Sequence, residues 1–205
     1  MPRNKKPFQP KDLDPTLAAI EPRSAMELKN LSLNTSMSEE THCFRASVYI
    51  NGKRMFTASN GGNGGPNFYS PSDFKTGKEA FEEAMAIARE EAKQYTLKKI
   101  ELGEDLQWAI DDERIKDELI DWLIADLINE QLTLKEMRKA LKKKVMVYWP
   151  KSNEIFYLGR DKPTDEILEK YKNHFATKSD EKNVKDWVWL NTIPEAEAYK
   201  YWRTA

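Results

Sequence analysis

The chain has 205 residues, 33% of them charged, with a formal net charge of -1. The charged share exceeds the roughly 25% of ordinary globular domains and points to long solvated helices, while near-neutrality excludes a whole-chain field that draws in nucleic acid or anionic membrane. Cys43 is the only cysteine, which excludes an internal disulfide and multi-cysteine zinc sites and fits a reducing, cytoplasmic setting.

Residues 1–25 carry Pro2, Pro7, Pro10, Pro15 and Pro22. That density prevents a regular helix or a central strand and predicts a disordered or loosely draped tail. Its basic residues are followed by no apolar segment, so no secretory signal is expected. No apolar run approaches the ~18 residues of a membrane span, so no membrane partner is expected.

β-structure comes first. A short strand is predicted over 28–34. In "FRASVYI" (44–50), Phe44, Ala46, Val48 and Ile50 alternate with Arg45, Ser47 and Tyr49, the pattern of a half-buried strand. Asn51-Gly52 supplies a type I′ turn, and the return strand spans 53–59. A two-residue loop pairs Val48 with Met55 and Ala46 with Thr57. Four glycines then fall within five positions of "SNGGNGGPNFYSP" (59–71), where the hairpin ends and the chain crosses to its next element.

Helices dominate the middle. Thr76 and Glu79 have capping-box spacing, followed by Phe81, Met85, Ala88, Ala92 and Tyr95 at helical intervals. A second helix is predicted from about Leu106 to Asn129. Thr133 and Glu136 open a separate short helix closed by Lys142–Lys144, where positive charge suits the C-terminal dipole. A second β-hairpin follows at 145–149 and 155–159, apolar on both faces and so covered on both sides. Thr164 starts a further helix, 185–191 reads as a strand, and Thr192 with Glu195 caps the last helix. The expected fold is α+β: an N-terminal β-hairpin or small antiparallel sheet, central helices, then a second small β-hairpin unit with C-terminal helices. Its boundaries are a tail to 25, a unit over 26–130 and a lobe over 131–205.

The glycine loop is neither a P-loop nor a dinucleotide fingerprint. Glu79 follows Gly77-Lys78, and Asn67 stands where the spacing opened by Gly62 and Gly64 requires a third glycine. Three readings stay open. Backbone amides of Gly62, Gly64 and Gly65 form an anion nest over a nucleotide or sugar; the glycines merely shape a long β-to-α crossover; or the loop grips a partner through Asn60, Asn63, Asn67, Phe68 and Tyr69. His42 and Cys43 are strand neighbours pointing to opposite faces, and His174 lies far along the chain. No catalytic constellation, metal set or cofactor motif is present, so the chain leans away from an enzyme.

Glu113, Asp117 and Asp121 make an acidic helical stripe. It reads as a solvated face pairing with Lys135, Arg138, Lys139 and Lys142 on the next helix, or as an imitation of nucleic acid. That basic segment is in turn a candidate phosphate-binding patch. Trp187, Trp189, Tyr199, Tyr201 and Trp202 form a core, or interface anchors where exposed.

Over residues 38–69, Ser38, Glu39, Glu40, Thr41, Phe44, Ala46, Asn51, Gly52, Lys53, Asn60, Gly62, Gly64 and Gly65 form a pattern. The stretch resembles small, mostly uncharacterised proteins of tailed phages and bacteria. Members carry a histidine before the glycine pair, where this chain has Asn63. The resemblance covers about a sixth of the chain, implies a phage or mobile-element setting, and carries no activity or site residues with it. The resulting expectation is a phage-type accessory protein that acts by binding, inhibiting or redirecting a host or anti-phage defence protein in the host cytoplasm.

Overall fold

A computed structural model describes residues 24–73, 75–177 and 186–205. Apart from Ser24 and Ala25, the predicted tail lies outside the described residues. The fold is α+β, and the chain divides into two compact units between Glu130 and Gln131.

The N-terminal unit holds a four-stranded antiparallel sheet in sequential order: β1 (Met26–Leu33), β2 (Phe44–Ile50), β3 (Lys53–Asn60) and β4 (Phe68–Pro71). The β2–β3 turn has Asn51 and Gly52 at φ 51° and 77°, as a type I′ turn requires. The register past it corrects the simple pairing. A bulge between Val48 and Tyr49 sets Val48 opposite Phe56 and Ala46 opposite Ala58. The extra residue bends the strand and lets Met55 and Phe56 both be buried. The apolar positions of β1 and β2 meet as Met26 opposite Ile50 and Leu28 opposite Val48.

Helix α1 (Lys78–Glu101) buries Ala84, Met85, Ala88 and Ala92 and packs on β3, small side chains letting it lie close to the sheet. It starts two residues after Thr76, with Gly77 as N-cap and no side-chain cap, so Thr76 does not close a capping box. The predicted helix over 106–129 is broken. A short α2 (Gln107–Asp111) ends at Asp112, whose carboxylate accepts from the Arg114 N–H and guanidinium. Short polar side chains that bond their own backbone compete with the helix in this way. Arg114 holds the Asp112 carboxyl down to about 2.

Helix α3 (Glu118–Lys143) then runs without interruption. Thr133 sits inside it rather than starting a new helix, because no glycine or proline lies between Gly103 and Pro150 and an interior threonine costs only tenths of a kcal/mol. Polar ties hold the first half of α3, and the turn before it, to α1. Arg89 pairs with Asp117 at 2.5 Å, and the Asp126 carboxylate accepts from Lys99 and from the Tyr95 hydroxyl, each at 3.1 Å.

In the C-terminal unit the sheet order is β6-β5-β7, with β5 (Val145–Trp149) between β6 (Glu154–Leu158) and the two-residue β7 (Val188–Trp189). Central placement explains the unbroken apolar run of β5. Met146 and Tyr148 pack with Leu134 and Met137 of α3 and with Ala198 and Tyr199 of α5 (Glu195–Thr204). Val145 and Val147 pack with Leu158, Trp187, Trp189 and Leu168 of α4 (Asp165–Thr177). Tyr199 is therefore core, and Trp187, Trp189, Tyr201 and Trp202 are half-buried against these two clusters. Thr164 does cap α4, its hydroxyl accepting from Ile167 N–H at 3.3 Å. Pro194 precedes α5 with no side-chain cap, and the Thr192 hydroxyl donates to the Trp189 carbonyl instead. Asn191 joins the elements: its Oδ1 accepts from Met146 N–H at 2.7 Å and its Nδ2 donates to the carbonyls of Leu141 and Lys144.

Candidate functional site

The glycine stretch connects two paired strands, because β4 returns beside β3 with Ser59 opposite Phe68 and Phe56 opposite Pro71. The expected β-to-α crossover is thus a β–β connection over 61–67. Gly62, Gly64 and Gly65 all have positive φ, at 92°, 84° and 84°. At Gly62 the need is also steric. A Cβ there would lie 2.0 Å from the Met37 carbonyl oxygen and 2.8 Å from Cys43 Cβ.

That close approach seats the Gly62 carbonyl among the backbone N–H groups of Glu39, Glu40 and Thr41, which donate to it at 2.9, 3.0 and 3.3 Å. Asn60, 7% exposed, organises the rest. Its Oδ1 accepts from the Thr41 hydroxyl at 2.8 Å and from Gly62 N–H at 2.9 Å. Its Nδ2 donates to the Gly65 carbonyl and to Asn67 Oδ1 at 3.2 and 3.1 Å. A buried amide satisfied at both ends locks the loop in one conformation.

The other wall is the first half of α3. Asp121 accepts from Asn67 N–H at 3.1 Å and from the Tyr69 hydroxyl. Burial raises the Asp121 carboxyl, and the bonds from Tyr69 and Asn67 only partly offset it. Burial, and then the bond to Asp121, push the Tyr69 phenol well up, so it remains a donor. His42 meets Asn129 Oδ1 at 2.9 Å. Between these walls lies a cleft of about 780 Å³. Half-buried Trp122 and Ala125, over the buried Phe44, Ile124 and Ile128, give it apolar surface, and Glu39, Glu40, Glu118 and Asp121 supply carboxylates. Among the described residues, no lysine or arginine lines it. Residues 21–130 as a whole hold 21 acidic and 13 basic side chains, so the surroundings reinforce the sign.

The predicted site residues fall into separate places. Asn60, Gly65 and Asn67 line the cleft, Tyr69 braces it through Asp121, and Gly62 and Gly64 pack on residues 37–43. Asn63 is exposed in the loop, and Phe68 is 74% exposed. Lys135, Arg138, Lys139 and Lys142 belong to the other unit. Arg138 is paired with Glu195 through two bonds of 2.5 and 3.0 Å, while Lys135, Lys139 and Lys142 are exposed. The expected helical hairpin between the acidic stripe and these lysines does not form. Of the stripe only Asp121 lies on α3, the helix that also carries the basic residues, and it turns to Tyr69, while Asp117, in the turn before α3, pairs with Arg89.

Sequence reasoning missed Glu118, Trp122, Ala125 and Ile128 as site residues. Their spacing puts them on one side of a helix, but that pattern equally describes a core stripe. Among the described residues, no three His, Cys, Asp or Glu side chains converge as they would around a metal ion. Among them, too, no helix is long and apolar enough to cross a membrane. Comparison of the chain with protein-family models, with curated proteins and with solved structures gave no match.

Proposed function

We propose that the protein is a phage-type accessory protein that acts by binding, and that this cleft is where it grips a host or defence protein. The observation that carries the reading is convergence. Ser38, Glu39, Glu40, Thr41, Asn60 and Gly65, all part of the phage-like pattern, line one cleft with the first half of α3. Apolar surface with convergent polar groups is how recognition sites are built, and the Asn60 network gives the wall a shape set before binding, which lowers the entropic cost of association. The nucleotide alternative is disfavoured by the same geometry. The N–H groups of residues 39–41 already donate to Gly62, and the carboxylates repel a phosphate.

Affinity purification from the native host tests the proposal, with wild type beside Ala125→Trp, which fills the cleft. A thermal melt checks that the variant folds. Specific capture by wild type and its loss in the variant is the expected result. Equal capture by both, or no specific capture at near-physiological salt, sinks the reading. A second reading, nucleic-acid binding, draws support from the exposed Lys135, Lys139 and Lys142. It requires affinity that falls steeply with salt and is lost on charge reversal at Lys139 and Lys142.

A further inference from the structure

We infer that the cleft receives an arginine side chain of the partner, carried on a basic and partly apolar segment. The inference rests on the binding reading above and names the chemistry of its occupant.

Several carboxylates elsewhere in the N-terminal unit have cations beside them: Asp117 has Arg89, Asp126 and Glu104 share Lys99, Asp112 has Arg114, and Glu27 has Lys29. Glu39, Glu40 and Glu118 are exposed, and among the described residues no basic side chain pairs with them. Asp121, the fourth carboxylate, has only neutral donors, Tyr69 and Asn67, and burial holds its carboxyl raised. Carboxylates gathered at a low-dielectric concavity focus a negative field on it.

The remaining surface selects among cations. Half-buried Trp122 lines the cleft, and a guanidinium stacks on aromatic faces while pairing with carboxylate through two parallel bonds. Its methylene stem packs on apolar surface of the kind the half-buried Trp122 and Ala125 supply. Ammonium is more strongly hydrated and lacks that fork. A volume of about 780 Å³ exceeds what a lone guanidinium fills, so neighbouring residues of the segment enter with it.

The test uses the full chain and a synthetic nonapeptide with three arginines separated by leucine and serine, followed by fluorescence anisotropy at 0.15 M salt. The control peptide carries citrulline for arginine, which keeps the shape and removes the charge. Binding should weaken at least tenfold with the citrulline peptide, and at least tenfold for the arginine peptide with Glu40→Gln/Glu118→Gln. Glu82→Gln/Glu83→Gln, exposed on α1 and not part of the cleft lining, should change it less than twofold, because exposed charges that make no direct contact are strongly screened at this salt. Equal binding of both peptides, no binding of the arginine peptide, or equal loss in the two double variants overturns the inference.

Partner capture separates the two claims. If Ala125→Trp abolishes capture while Glu40→Gln/Glu118→Gln retains it, the cleft binds without a cation and only this inference falls. If Ala125→Trp retains capture, the underlying binding reading falls as well.

Discussion

Replacing Gly62 with alanine tests how the cleft wall is held. An alanine at φ 92° pays about 1–2 kcal/mol for the left-handed backbone. Its Cβ would meet the Met37 carbonyl oxygen at 2.0 Å. Because that atom is backbone, no rotamer change relieves the collision, and residues 37–41 must move. Their three N–H bonds to the Gly62 carbonyl are each worth about 0.5–1.5 kcal/mol net, so losing two adds about 1–3 kcal/mol. The expected total is about 2–5 kcal/mol, a large part of the 5–15 kcal/mol that holds a typical domain. Two neighbours calibrate it. Gly65 has φ 84° but nothing within 4 Å of an added Cβ, so Gly65→Ala should cost only the backbone term, about 1–2 kcal/mol. Gly61 has open space and no positive φ, so Gly61→Ala should be neutral or stabilising by about 0.4–1 kcal/mol. Urea unfolding at constant m-value, read in the transition of the N-terminal unit, gives all three. If Gly62→Ala costs no more than Gly65→Ala, the seating of residues 37–41 on the loop is refuted.

Three further outcomes follow from named contacts. Asn191→Ala removes the acceptor of Met146 N–H and the donor to two carbonyls at the end of α3; it should destabilise the C-terminal unit by about 2–4 kcal/mol, and a loss under 1 kcal/mol in urea melts contradicts the joining role. Asp121 has its carboxyl raised by burial, so the folded state holds that proton more tightly than the unfolded one. Wild type should therefore lose stability relative to Asp121→Asn as pH climbs from about 4 through the raised value, and subtracted pH–stability curves that are flat or slope the other way refute it. Phe56 is 0% exposed and Phe68 is 74% exposed; Phe56→Ala should cost about 3–5 kcal/mol and Phe68→Ala within ±0.5 kcal/mol, a contrast that thermal melts resolve.

Local chemistry was enough to read several elements from the residues alone. Alternation in 44–50 and the Asn51-Gly52 turn specify the β2–β3 hairpin, since neighbouring strands with a short loop need no distant contact. Thr164 caps its helix as the spacing suggests, and the two apolar faces of β5 are covered by separate clusters. Capping-box spacing failed at Thr76, Thr133 and Thr192, because the motif only offers a cap. Whether a helix starts there depends on where the chain before it must go.

Composition, periodicity and turn chemistry by themselves determined an α+β chain with two β-units and a solvated helical middle. Tertiary structure decided the bulge that re-registers Val48 onto Phe56, the return of β4, and the use of Asn60 inside the loop rather than on a partner. It also decided the cleft. Each of its walls is a local element, but the space between them exists because Asn67 and Tyr69 reach Asp121, more than fifty residues along the chain. Short-range patterns carry no information about which distant side chains will meet, so that juxtaposition is visible only in the folded protein.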